Sequence, residues 1–203
     1  MIDEVLREVK EKVFLPVAKK LSSAGITPTK LTLVGFVFGV VSAICFGLGS
    51  WWLGVACWWL NRLLDGLDGV VARHANQQTD FGGYLDIICD FCIYAWVPLG
   101  LTLYYDYSTF CLFAAAFMQS SYFVNAASLF YAASILEKRA AIPSKKLTSI
   151  VMPPALIEGT ETLIFYQLFM LFPTWLPHLF FVFGSAVYFN VLQRLFWALK
   201  AFS

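Results

Sequence analysis

Hydrophobic residues run along this chain in six long blocks, near residues 31–50, 51–73, 82–104, 109–136, 154–172 and 178–199. Each block holds about 18 to 28 mostly apolar residues, and a helix needs about 20 to cross the hydrocarbon of a bilayer. The pattern therefore predicts six transmembrane helices with short connections, except for the stretch around 137–150. Ahead of them, Ile2, Val5, Leu6, Val9 and Val13 recur at helical spacing among charged residues. That spacing predicts an amphipathic helix lying on the membrane surface, or else packed against the protein's own loops, and broken near Pro16. Asp3, Glu4, Glu8 and Glu11 among the lysines do not suit the n-region of a cleavable signal. The expected fold class is an all-α integral membrane protein. Residues 1–24 form its interfacial helix and residues 25–203 its six-helix domain.

Charge adds an orientation. All 14 lysines and arginines fall before the first block, toward the ends of the second, fourth and sixth, or in the stretch that follows the fourth. The opposite loops, at 49–52, 104–108 and 173–178, hold no lysine or arginine. An excess of Lys and Arg marks the cytoplasmic side, so both termini are expected there, in a bacterial inner membrane. Trp51, Trp52, Tyr104, Tyr105, Tyr107 and Trp175 suit an aromatic belt on the far side. Composition agrees, with 60% hydrophobic and 18% aromatic residues. A net charge of +1 leaves no electrostatic footprint for nucleic acid, so no such partner is expected. Among the 5 cysteines, Cys89 and Cys92 form a CxxC, which reads as helix packing because zinc-ligating partners are missing nearby.

The second and third blocks contain acids that hydrocarbon should exclude. Asp65 and Asp68 are three residues apart and share one helix face; Asp86 and Asp90 are four apart and share another. Counted from Arg73, Asp68 and Asp65 lie about 7 and 12 Å inside; counted from Gly82, Asp86 and Asp90 lie about 6 and 12 Å inside. On adjacent antiparallel helices the two pairs reach matched depths and converge on one cavity. Intramembrane acids mark function by default. Arg62 and Arg73 are close enough for some pairing, yet two arginines cannot neutralise four acids. A hard divalent ion such as Mg²⁺, bound by carboxylates and substrate phosphates, solves the charge problem; proton relay and ion transport are the other readings. Gly69 beside Asp68, and Gly82-Gly83 opening the third block, permit close approach of a phosphate-bearing ligand. Elsewhere, Gly35-x3-Gly39 permits close helix contact within a protomer or across a dimer. Asn61 and Asn125 either line a cavity or bond between helices.

Asp65-x2-Asp68-Gly69-x2-Ala72-Arg73-x8-Gly82-x3-Asp86-x3-Asp90 resembles the signature of the CDP-alcohol phosphotransferases at every defined position. Ile26-Thr27-Pro28-Thr29-Lys30-Leu31-Thr32, entering the first block, is similar to the family too, although many members have Pro-Asn where this chain has Pro28-Thr29. The resemblance, over residues 25–200, implies transfer of a phosphatidyl group from CDP-diacylglycerol to a small alcohol, with release of CMP. It implies that Asp65, Asp68 and Asp86 bind Mg²⁺ or Mn²⁺, as two ions, with Asp90 close by and acting as general base. It places Gly69, Ala72, Arg73, Thr79 and Gly82 at the CDP head group and Thr29 and Thr32 near the diphosphate. A homodimer in membrane lipid is implied as well.

The acceptor is less legible. Pro153-Pro154 suits a helix start and sets Glu158 and Glu161 in the first two turns, where they face an acceptor cavity or pair with Arg139, Lys145 or Lys146. Acids there suit glycerol, serine, choline or ethanolamine. The basic residues, Arg139 included, suit a phosphorylated acceptor, but the lack of a compact arginine cluster leans away from inositol-type acceptors. A second enzymatic reading moves phosphocholine or phosphoethanolamine from a CDP-alcohol to diacylglycerol. A reading of another class is a cation transporter or scaffold that keeps the acids for metal alone.

Overall fold

The computed structural model describes residues 2–105, 108–139 and 155–202, with side chains from residue 10 onward except at Tyr105. Tyr107, Lys145, Lys146, Pro153 and Pro154 lie outside the described residues. Every regular element among those described is helical: α1 (Ile2–Ser23), α2 (Pro28–Gly47), α3 (Trp51–His74), α4 (Asp80–Tyr105), α5 (Thr109–Arg139), α6 (Gly159–Leu171) and α7 (Leu176–Phe202). A 3₁₀ turn, Pro173–Trp175, joins the last two. The chain divides into two compact units, Met1–Tyr107 and Ser108–Ser203.

Four helical stretches are long and apolar enough to cross a membrane: Pro28–Gly47, Asp80–Tyr104, Thr109–Arg139 and Pro173–Phe202. The remaining two blocks differ for separate reasons. Helix α3 has 24 residues, ample length, but Arg62, Asp65, Asp68 and Arg73 interrupt its apolar character. Helix α6 has only 13 residues, about 20 Å against a hydrocarbon core of about 30 Å.

In the first unit α2 packs on α3 and α4, and α1 packs on α3. The small residues of α2 close these contacts inside the protomer. A Cβ on Gly35 would stand 3.2 Å from Leu64 Cβ, and one on Gly39 would stand 2.5 Å from Ile93 Cδ1. Asn61 of α3 bonds between helices, donating from Nδ2 to the Gly35 carbonyl at 2.9 Å, and Ser42 donates to the Gly54 carbonyl at 2.8 Å.

Helix α1 does not break at Pro16; it runs from Ile2 to Ser23 with the proline inside. Losing one backbone hydrogen bond in a helix interior costs about 3 kcal/mol. Burial offsets it: Ala18 is fully buried in a cluster with Leu31, Val70 and Val71, flanked by Phe14, Leu21, Ile26, Leu64 and Leu67. The helix thus rests on a helix, α3, rather than on loops. It ends in a left-handed residue, Gly25 (φ 75°), with Ile26 N–H donating to the Leu21 carbonyl at 3.0 Å and Gly25 N–H to that of Ser22 at 3.0 Å.

In the second unit α5 packs along α7. Phe183 meets Phe165 at a tilt and Tyr166, Phe169 and Tyr122 edge-to-face. Helix α6 begins later than the proline pair predicts. Asn190 of α7 accepts from the backbone N–H of Leu156 (2.9 Å) and Ile157 (3.0 Å) and donates to the Ile157 carbonyl (2.8 Å), so these backbone groups are engaged outside any helix. Glu158 then becomes the N-cap and Glu161 the N3 residue of a capping box.

The tightest approach in the first unit is testable. A Cβ at Gly100 would lie 2.2 Å from the Ala43 carbonyl oxygen, whereas one at Gly47 meets nothing nearer than 3.9 Å. Gly100→Ala is expected to destabilise by about 1–3 kcal/mol through overpacking. Gly47→Ala is expected to be neutral or to stabilise by up to about 1 kcal/mol. Thermal unfolding of the two variants in one detergent checks the contrast; equal melting temperatures would refute the close packing.

Candidate active site

The α3 sequence Arg62-Leu63-Leu64-Asp65-Gly66-Leu67-Asp68 puts three charged residues on one face at helical spacing. Helix α4 answers with Asp86, Asp90 and Tyr94, each one turn beyond the last. The two faces meet. Asp65 lies within hydrogen-bond reach of both Asp86 and Asp90. Asp65 of the first pair thus lies beside both acids of the second, and all four acids belong to the first unit.

A cation already stands among them. Arg62, whose side chain is 6% exposed, donates from Nη2 to Asp90 Oδ1 at 2.8 Å and lies 3.8 Å from Asp65 Oδ2. Its Nη1 donates to the Tyr94 hydroxyl at 2.9 Å and its Nε to Asn61 Oδ1 at 2.8 Å. The guanidinium carbon sits 5.1 Å from the Trp58 ring centroid and 5.0 Å from that of Tyr94. Asp68, 6% exposed, is held from α2, accepting a 2.5 Å hydrogen bond from Thr32 Oγ1 at its Oδ2.

Four carboxylates supply an all-oxygen donor set, which suits a hard divalent cation. Carboxylates within hydrogen-bond reach need a shared proton or a cation between them. Among the described residues no three acidic, cysteine or histidine side chains stand ready-made around one point. Asp90 is engaged by Arg62 and Asp68 by Thr32. The residues fit the ion in charge and donor chemistry.

The residues expected at the nucleotide lie on α2, on α3 and at the start of α4. Thr29 and Thr32 lie in the first turns of α2, three residues apart. Thr79 caps α4, its Oγ1 accepting from the Gly82 N–H at 3.0 Å. Gly69 and Ala72 lie on α3, and the Arg73 guanidinium folds back so that a Cβ on Gly69 would stand 3.2 Å from its Nη1. Arg73 Nε donates to Glu11 of α1. Lys10 reaches toward Asp65, with its Cε 2.5 Å from where a Gly66 Cβ would stand. The sequence offered no sign of Lys10 and Glu11 at the site, because the contacts span about sixty residues; Tyr94 was readable as the next turn after Asp86 and Asp90.

In the second unit the acceptor candidates hold local structure. Glu158 and Glu161 form the capping box, Glu161 Oε2 accepting from the Glu158 N–H at 3.0 Å. Arg139 donates to the Ala201 and Phe202 carbonyls at 3.0 and 3.1 Å, closing the end of α7, and lies over the Phe202 ring. Arg194, 3% exposed, donates from Nη1 to the Asn125 carbonyl and Oδ1, both at 3.1 Å, and its buried Nε has no partner among the described residues.

Comparison with known proteins places this geometry. The sequence model described as CDP-alcohol phosphatidyltransferase matches residues 25–196. The inner membrane protein YnjF of Escherichia coli K12 is 35% identical over 196 residues, covering 96% of this chain and 93% of the relative. An archaetidylinositol phosphate synthase of Pyrococcus horikoshii is 33% identical over 102 residues, 49% of this chain and 54% of its own length. A phosphatidylinositol phosphate synthase of Mycobacteroides abscessus is 39% identical over 85 residues, 41% and 39% of the two chains. The crystal structure of Mycobacterium tuberculosis phosphatidylinositol phosphate synthase in complex with manganese and citrate superposes with a TM-score of 0.72, at 22% identity, over 90% of this chain and 87% of that one. The same enzyme with CDP-DAG bound gives 0.69, at 23% identity, over 91% and 92%. Matched by that family's model over most of its length, this membrane protein belongs to the CDP-alcohol phosphatidyltransferase family.

Proposed function

We propose that Asp65, Asp68, Asp86 and Asp90 form the centre at which the phosphatidyl group of CDP-diacylglycerol passes to the hydroxyl of a small acceptor, releasing CMP. The observation that carries this reading is the meeting of four carboxylates from two neighbouring helices within a membrane protein of this family. A related fold has been solved with CDP-DAG bound, which supports the donor.

The chemistry follows from the charges. The acceptor oxygen attacks the phosphorus that bears diacylglycerol, its new P–O bond forms, and the diphosphate P–O bond breaks with its electron pair leaving on CMP. Asp90 takes the acceptor's proton; such base catalysis contributes about 10²–10⁴-fold. When bound, Mg²⁺ or Mn²⁺, as two ions held by Asp65, Asp68 and Asp86 beside Asp90, would neutralise the diphosphate and stabilise the departing phosphate. A fold neighbour solved with manganese supports the ion class. Thr29 and Thr32 open α2 toward the diphosphate, Gly69, Ala72 and Gly82 allow close approach of the nucleotide, and Thr79 shapes that rim through its cap. Arg73 exchanges its contact with Glu11 for the donor.

The membrane arrangement completes the proposal. Helices α3 and α6 count with the four apolar stretches as six spans, with both termini and the site on the cytoplasmic side, as the basic residues indicate. Helix α1 lies at the interface; Val13 and Val17, 62% and 45% exposed, give it an apolar flank besides the one on α3. The protein works as a homodimer in a bacterial inner membrane, the latter supported by its inner-membrane relative.

For the acceptor, Glu158, Glu161 and Arg139 remain candidates alongside their structural roles, favouring a small neutral or cationic alcohol. A phosphorylated acceptor is the second reading. It is favoured by one observation within the second unit: the buried Arg194 guanidinium has an Nε that an anionic group would satisfy. The relatives named for inositol phosphate products point the same way.

Purified protein with CDP-diacylglycerol, Mn²⁺ and a panel of glycerol, serine, glycerol 3-phosphate and inositol phosphate is expected to release CMP with at least one acceptor. Chelation should abolish that release and added Mg²⁺ or Mn²⁺ should restore it. CMP released instead from CDP-choline with diacylglycerol would overturn the donor assignment. Asp90→Asn is expected to lower turnover at least about 10²-fold while CMP still binds by calorimetry. Full turnover by that variant would remove Asp90 from the chemistry.

A further inference from the structure

We infer that Arg62 is a positioning residue for this reaction: a built-in counter-cation that holds Asp90 in place and weakens the cluster's grip on its divalent ions. The inference rests on the reading of the four aspartates as the metal-binding catalytic centre. Position 62 lies outside the eight residues of the family signature.

The geometry is that of a fixed part. Arg62 uses all three of its nitrogens, donating to Asn61, Tyr94 and Asp90 at 2.8, 2.9 and 2.8 Å. Asn61 is itself anchored, donating to the Gly35 carbonyl of α2 at 2.9 Å. The rings of Trp58 and Tyr94 enclose the guanidinium, and its side chain is 6% exposed. Three helices therefore determine where this charge sits. A guanidinium does not lose its proton in a protein, so the charge is permanent.

Two consequences follow, and they have opposite signs. The fork occupies Asp90 Oδ1 and so restricts rotation of that carboxylate, which keeps the base oriented as acceptors come and go. The same positive charge, 3.8 Å from Asp65 and 2.8 Å from Asp90, repels any divalent ion those acids bind. Removing Arg62 should then tighten metal binding while slowing turnover. A residue that only supports the fold would, when lost, weaken both.

The test uses the full-length protein in detergent, with Mn²⁺ binding followed by electron paramagnetic resonance and turnover by CMP release. Arg62→Gln, neutral but still able to hydrogen-bond, is expected to bind Mn²⁺ roughly tenfold tighter. Its kcat is expected to fall about 10–100-fold, with donor KM within about threefold of wild type. Arg62→Lys keeps the charge and loses the fork, so kcat should fall while Mn²⁺ affinity stays within about threefold of wild type. Wild-type kcat in either variant, or unchanged Mn²⁺ affinity in Arg62→Gln, overturns the inference. Should Arg62→Gln fail to fold, Arg62→Lys decides: a fall in kcat with Mn²⁺ affinity retained supports the inference, and a loss of both, or of neither, overturns it. Wild-type protein that takes up no Mn²⁺ overturns the metal reading of the aspartates instead, a result distinct from Mn²⁺-binding protein whose Arg62 variants are unaltered.

Discussion

Four carboxylates drawn together in an apolar helical protein set the terms for everything around them. Like charges at such separation must be neutralised by a proton, a cation or a neighbouring side chain, because the surroundings solvate them poorly. The first unit supplies part of that neutralisation itself. Arg62 takes Asp90 and lies beside Asp65, and Thr32 takes Asp68. The remaining negative charge is of the kind a hard divalent cation neutralises. Breaking a buried pair by removing one partner costs about 3–5 kcal/mol, so these contacts also tie the fold to the site.

The helices that carry the acids are brought close to α2 by small residues and backbone contacts as well as by buried side chains. Gly35 and Gly39 let α2 approach α3 and α4, and Gly100 brings α4 onto the Ala43 carbonyl. Through that approach Thr32 reaches Asp68 and Asn61 reaches the Gly35 carbonyl. The close seam and the site are thus one construction: the same proximity that buries α2 places its first turns against the carboxylates. Helix α1 adds a layer on α3, buried through Ala18 and reaching the rim through Lys10 and Glu11.

Much of this was legible in advance for a definite reason. Helical periodicity converts spacing into direction, so Asp65 with Asp68, and Asp86 with Asp90, had to share faces once their segments were helices. Most helix ends fell close to expectation because Pro28, Gly25 and Gly49 mark boundaries locally. The misjudged elements were those whose local signal a distant partner overrode. Pro16 signals a break, but burial of Ala18 against α3 carries α1 through it. The start of α6 moved to Gly159 because Asn190, more than thirty residues away, holds the backbone of Leu156 and Ile157.

The sequence by itself determined the helical class, the apolar character, the family signature and the facing of each acid pair, all of which depend on neighbours within a turn or two. Only the tertiary structure decided which charges meet. It assigned Arg62 to Asp90, Thr32 to Asp68, Glu11 to Arg73 and Arg139 to the end of α7. The physical reason is range. Helix periodicity is a local property of the backbone, whereas a long side chain such as arginine selects its partner only after separate helices have packed within its reach.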